Sequence, residues 1–195
     1  IRQSGLDRVL SFVFETVNEL GDLTTVTLVA EIMGRHSNLI LTDAGGRILD
    51  AIKRVSDEVS SVRTVLPGGT YQAPPGQDKI NLLEEEDGPV MARIFSARTP
   101  DCAKAVMQAL SGVSPVLARE LVFRALKGQD IETGQLSGYY KNRLREEVAK
   151  LRETLRTGKA AFTAVSDEEK RIREFTLCDI EQYGAVKEKR RYESP

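Results

Sequence analysis

Glu31-Ile32-Met33-Gly34-Arg35-His36-Ser37-Asn38 places a carboxylate, a thioether, a guanidinium, an imidazole, a hydroxyl and a carboxamide between two apolar runs. His36 is the only histidine in the chain. So much hydrogen-bonding capacity in one turn fits three uses: a catalytic loop, a site for an anionic partner, or a turn whose own side chains cap its backbone. Acid–base catalysis needs positioned titratable pairs. No Ser or Cys carries a local signature pointing to His36, and the sequence holds no GxSxG, HExxH, P-loop or dinucleotide fingerprint. The chain therefore reads as a non-enzyme. Cys102 and Cys178 form no CxxC pair and cannot complete a zinc site with one histidine. They read as two reduced, semi-buried thiols. No metal, cofactor or small-molecule substrate is expected.

Two further stretches could hold a nucleic acid. Asp7 and Arg8 stand at the start of an alternating run. Adjacent strand residues face opposite sides, unless both lie at the strand's end where the pleat fades. They read either as a charged strand start or as an acceptor and a forked donor aimed at bases. Ser111-Gly112-Val113-Ser114-Pro115 joins two helical patterns in the manner of a helix-hairpin-helix. Backbone N–H groups at the next helix start can hold a phosphate there, with Gly112, Ser114 and the following Arg119 as candidates. Leu66-Pro67-Gly68-Gly69-Thr70 is a turn.

The elements that must carry these residues follow from periodicity. Residues 6–17 alternate, with Leu10, Phe12 and Phe14 on one face, as in a half-buried strand. Residues 23–33, 38–42 and 47–55 continue as strands, separated by turns at Asn18–Asp22 and Asp43–Gly46. The result is an antiparallel meander of four strands. Residues 56–80, rich in Pro and Gly, should wrap that sheet as ordered loop. Glu84-Glu85-Glu86-Asp87 then marks a domain boundary, and the period becomes helical. Helices are expected over 89–97, 101–110, from Pro115 to Leu126, and over 133–156, ending before Gly158. Ala160–Val165 and Arg171–Leu177 read as a small β-hairpin, and Lys187–Tyr192 as a basic, frayed tail. The fold class is α+β. The expected domains are a β domain over 1–83, a helical domain over 88–156, and a hairpin with tail over 157–195.

Charge excludes little. Lys and Arg number 28 against 29 Asp and Glu, a formal net charge of -1. Any RNA or DNA contact must therefore come from a local patch. No apolar run reaches transmembrane length and no signal peptide opens the chain, so a cytoplasmic location without membrane contact is expected. The first residue is Ile, as in a piece of a longer protein.

Gly5-Leu6-Asp7-Arg8, Glu31 to Asn38, Val65-Leu66-Pro67-Gly68, Pro74-Pro75 and Ser111 to Pro115 occur in this order. Together they resemble the NFACT family of ribosome quality control proteins, the fibronectin-binding protein A-like group. The resemblance covers nearly the whole chain. It implies the later part of an NFACT-N domain, related to the N-terminal domain of formamidopyrimidine-type glycosylases but incomplete, followed by a helix-hairpin-helix region that leads toward a coiled coil. It also implies a factor that binds the large ribosomal subunit carrying a stalled peptidyl-tRNA and recruits alanyl-tRNA for untemplated alanine tailing. By the same resemblance, Asp7, Arg8, Glu31, Ile32 and Met33 recognise tRNA near the anticodon. Arg35, in the turn that follows, offers a phosphate contact on its chemistry alone. A fibronectin-binding surface adhesin and a DNA-binding, glycosylase-like module are the competing readings.

Overall fold

The computed structural model describes residues 1–3, 5–76, 78–184 and 188–193. The chain divides into two compact units, Ile1–Gln77 and Asp78–Pro195.

The first unit is an antiparallel five-stranded sheet in chain order. Its strands are β1 (Arg2–Gln3), β2 (Val9–Val17), β3 (Leu23–Glu31), β4 (Asn38–Thr42) and β5 (Ile48–Ala51). Four match the expected meander, with β5 shorter than expected; the short β1 adds to the β2 edge, Gln3 opposite Leu10. The hairpin turns share one device, an acidic or amide side chain that mimics a backbone acceptor. Asn18 Oδ1 accepts from the N–H of Leu20 (3.0 Å) and Asp22 (2.8 Å). Asp43 Oδ1 accepts from the N–H of Gly45 and Arg47, both at 2.9 Å. Gly21 and Gly46 supply the positive φ these turns require.

Alternation along the strands is present, but the closed face is the opposite one from Leu10, Phe12 and Phe14. Val29, Ile40 and Ile48 form the core with Val65, and Val9, Val55 and Tyr71 pack against them. The 56–76 loop thus covers one face of the sheet and is tied to it by isolated bridges at Val55–Val65 and Arg47–Thr70. Phe14, on the other face, is 51% exposed.

The second unit holds α1 (Asp87–Phe95), α2 (Cys102–Ala109), α3 (Pro115–Leu126) and α4 (Gly138–Thr157), then β6 (Phe162–Ser166), β7 (Ile172–Thr176) and β8 (Glu188–Tyr192). α2, α3 and α4 start where short polar side chains cap them, whereas α1 starts without a side-chain cap. Asp101 accepts from Lys104 N–H, Ser114 from Leu117 N–H and Ser137 from Tyr140 N–H. Gly158, in the left-handed region, ends α4. Residues 133–135, expected in the last helix, form a separate 3-10 turn before the Ser137 cap. The helices bury an aliphatic core that includes Leu82, Val90, Ile94, Leu121, Leu144 and Leu151. Both cysteines are free, Cys102 buried and Cys178 half-buried, and burial pushes both thiols above their ordinary range.

Three expectations change here. The acidic run lies inside the second unit, because Asp87 pairs with Arg152 of α4, whose guanidinium also donates to the carbonyls of Leu82 and Glu85. Residues 157–195 belong to that same unit: Val165 and Ile180 share a cluster with Val116 of α3. The basic tail is a strand over its described residues, since β6 has two edges and β8 takes the one that β7 leaves. Lys187 lies outside the described residues, as do Ala185, Val186, Ser194 and Pro195.

Glu120 joins α3 to the segment after β7. It is 0% exposed. Its carboxylate accepts from Arg124 Nε (2.7 Å) and from the N–H of Glu181 (2.9 Å) and Gln182 (3.1 Å). Glu120→Ala should leave Arg124 Nε–H and two backbone donors without their acceptor, although the guanidinium keeps Asp179 O, at a cost of about 3 kcal/mol. Glu120→Gln, which still accepts, should cost less. Chemical denaturation of the two variants checks the order; equal stabilities would remove Glu120 from this role.

Candidate nucleic-acid interface at one end of the first sheet

The last paired residues of β2 and β3 are Val9 and Glu31. One more backbone bond continues the ladder, Ile32 N–H donating to Arg8 O at 2.8 Å. Arg8 therefore lies opposite Ile32. Asp7 and Arg8 precede β2 and both are exposed. Of the two placements open to the pair, the structure takes the one at the strand's end. Ile32 is 52% exposed, while Met33 is half-buried.

The polar pentapeptide is largely spent on its own geometry. Gly34–His36 is a single 3-10 turn, with Gly34 at positive φ. Met33 N–H donates to Ser37 Oγ (2.9 Å), and Arg35 Nε to His36 Nε2 (2.9 Å). Asn38, buried at the start of β4, holds Lys53 from both sides: its amide donates to Lys53 O and its Oδ1 accepts from Lys53 N–H, each at 2.8 Å. Lys53 Nζ in turn donates to Arg35 O (3.0 Å). Among the described residues, no carboxylate lies within ion-pair distance of Arg8, Arg35 or Lys53. This end of the sheet thus offers three uncompensated cations, an exposed carboxylate at Asp7 and an exposed aliphatic side chain at Ile32. Such a set can hold phosphates and touch base edges and faces.

Glu31 is the correction. It was expected at the interface, yet it is 2% exposed. Its Oε1 accepts from the Tyr71 hydroxyl (3.0 Å) and its Oε2 from Arg63 Nη2. Arg63 also donates to Gln72 O and lies 6.0 Å from the centre of the Tyr71 ring. The carboxylate is turned into the covered face and is fully engaged there. Strand alternation explains the outcome: with Glu31 turned inward, Ile32 faces out. Burial, and then the negative charge of Glu31, pushes the Tyr71 phenol up to about 12. Sequence reasoning missed Arg63 and Tyr71, which lie in a loop 32 and 40 residues after Glu31. It also missed Lys53. No local pattern marks any of the three.

The helical turn does not assemble the expected phosphate site. Gly112 supplies positive φ, and Ser114 Oγ is taken up by Leu117 N–H at 3.3 Å. Arg119 turns away from that loop to Glu174 Oε1 (2.7 Å), the Tyr183 hydroxyl (3.1 Å) and Gln182 Oε1 (3.3 Å). Glu174 of β7 and the turn after that strand supply these partners, so the three residues do not converge. Among the described residues, no group of three or more His, Cys, Asp or Glu side chains is placed to hold a metal ion, and no helix is long and apolar enough to cross a membrane.

The sequence profile of the NFACT N-terminal and middle domains matches residues 1–195. The chain belongs to the NFACT family. Among its relatives is the Rqc2 homolog RqcH of Bacillus subtilis (strain 168), 47% identical over 126 residues, which are 64% of this chain and 22% of that protein. The Rqc2 homolog RqcH of Streptococcus suis (strain 05ZYH33) is 46% identical over 88 residues, 45% of this chain and 16% of that protein. The matches thus span about a fifth of these relatives' length. The fold is similar to that of the fibrinogen binding protein from Staphylococcus aureus, with a TM-score of 0.75 and 27% identity over 99% of this chain and 65% of that one. It is also similar to the N-terminal part of the fibronectin/fibrinogen-binding protein from Streptococcus suis, with a TM-score of 0.64 and 27% identity over 93% and 58% of the two chains. This NFACT chain is an α+β protein with an antiparallel sheet ahead of its helices.

Two outcomes follow from the buried carboxylate. Glu31→Ala removes the partner of a guanidinium that is only 15% exposed and should cost about 3–5 kcal/mol, read by denaturant unfolding. The second concerns pH. The unfolded phenol of Tyr71 releases its proton near 10 and the folded one holds it to about 12. The unfolded state gains by ionising first, so this contribution is intact below pH 10 and is lost as pH rises toward 12. Melting temperatures of wild type and Tyr71→Phe between pH 9 and 12 should show the steeper fall for wild type; parallel curves would contradict the coupling.

Proposed function

We propose that this chain is the tRNA-reading part of a ribosome quality control factor that does no covalent chemistry itself. The factor binds the large ribosomal subunit carrying a stalled peptidyl-tRNA in the cytoplasm and recruits alanyl-tRNA for untemplated alanine tailing. The observation that carries this reading is the Arg8–Ile32 juxtaposition, flanked by exposed Asp7 and by cations without carboxylate partners. The relatives named Rqc2 homolog RqcH support it. An unpaired anticodon loop presents base edges to Asp7 and Arg8 and base faces to Ile32 and Met33, with phosphates for Arg35. Glu31 acts from behind, by holding β3 so that Ile32 stays outside.

The names of the solved neighbours raise a second reading, binding to fibrinogen or fibronectin. One comparison separates the two: the protein is offered large ribosomal subunits with tRNA, fibrinogen and fibronectin, and duplex DNA. Capture of tRNA-loaded subunits supports the proposal; retention by the matrix proteins or by DNA alone overturns it. Within the tRNA experiment, Arg8→Ala removes a forked donor and Asp7→Ala a charged acceptor. Each loss should cost roughly 1.5–3 kcal/mol, or about one to two decades of affinity. The loss should fall mainly on the preferred tRNA, so discrimination among tRNA species should collapse while the melting temperature holds. Equal weakening for every tRNA would reassign the pair to backbone contacts.

A further inference from the structure

Lys53 is placed with unusual care for an exposed lysine. Its backbone N–H and carbonyl are both held at 2.8 Å by the buried side chain of Asn38. Its Nζ sits on the carbonyl of Arg35, 3.0 Å away, at the Gly34–His36 turn. Asn38 itself is paired with Glu31 in the β3–β4 register, so Lys53 extends the row that contains the buried carboxylate. Its ammonium has no carboxylate partner among the described residues, whereas the next residue, Arg54, is paired with Asp50 at 3.2 Å. Stability does not require this arrangement: an exposed ammonium bonded to one carbonyl adds little. It does fix one positive charge against the turn that carries a second, Arg35.

Arg8 and Lys53 stand at opposite ends of this row of chain ends, Arg8 before β2 and Lys53 after β5. Three inter-strand steps separate β2 from β5, roughly 14 Å at the usual spacing. Ile32 and the Gly34–His36 turn lie between them. A single nucleotide does not reach both ends of such a span; a short looped segment of RNA does.

We propose that Lys53 is a phosphate-contacting residue of the RNA site, closing it on the side opposite Arg8. This inference rests on the tRNA reading above and adds to it a division of labour. Arg8 meets bases and so discriminates; Lys53 meets the sugar–phosphate chain and so binds every sequence alike. A lysine suits the second task, because its ammonium is a point charge without the forked geometry that base edges require.

The test is binding of the full chain to several deacylated tRNA species over a range of salt, for wild type, Lys53→Met, Lys53→Arg and Arg8→Ala. Lys53→Met should weaken all species by the same several-fold factor and lower the slope of log affinity against log salt by about one. Lys53→Arg keeps the charge and should restore both. Melting temperatures show that the variants fold. If Arg8→Ala loses discrimination while Lys53→Met binds with wild-type affinity and slope, the tRNA reading stands and the assignment of Lys53 is overturned. A loss confined to one tRNA, or a weaker affinity with an unchanged salt slope, overturns it as well. If the wild type binds no tRNA at any salt, the tRNA reading falls and Lys53 falls with it.

Discussion

A carboxylate taken out of water must find its charges and donors inside, and in the first unit that requirement falls on Glu31. The guanidinium of Arg63 and the hydroxyl of Tyr71 meet it there. Desolvation consumes most of what such a pairing gains, so its value lies less in net stability than in uniqueness. The loop that supplies both partners has few backbone ladders of its own. Glu31 gives that loop a fixed point on the sheet, and the loop gives the sheet its covered face through Val65 and Tyr71.

The same requirement sets the register at this end of the sheet. Side chains alternate along β3, so a slip of one residue would carry the carboxylate into solvent and Ile32 into the core. Pairing Glu31 inside forbids that slip. It thereby keeps Ile32 outside, opposite Arg8, and keeps Asn38 beside Glu31, where its amide can hold Lys53. A residue with no access to solvent thus decides which of its neighbours do have access.

The second unit repeats the principle with different geometry. Glu120, fully buried on α3, accepts from two backbone N–H groups as well as from Arg124. It draws the segment after β7 onto the helix. Its neighbour Arg119 is consequently within reach of Glu174 and Tyr183 and is lost to the helical turn that spacing alone assigned to it. In each unit one buried glutamate fastens an irregular segment, and in each the fastening redirects residues next to it.

The sequence by itself determined whatever is settled within a few residues. Asn18 and Asp43 closed their hairpins through their own side chains, Asp101, Ser114 and Ser137 opened helices, and Gly158 ended one, because those bonds span at most four positions and need no distant partner. The blocks around Asp7-Arg8 and Glu31–Asn38 were legible as a family pattern for the same reason, since they are contiguous. Tertiary structure alone decided which face of the sheet is covered, that Glu31 is a support and Ile32 the exposed neighbour, that Lys53 joins Arg35, and that the tail is a strand of a second sheet. Each of these depends on a partner brought from far along the chain: Arg63 and Tyr71 to Glu31, Lys53 to Asn38, β8 to β6. Local propensity carries no record of such pairings. They are selected only when the whole chain closes and every buried charge must be matched.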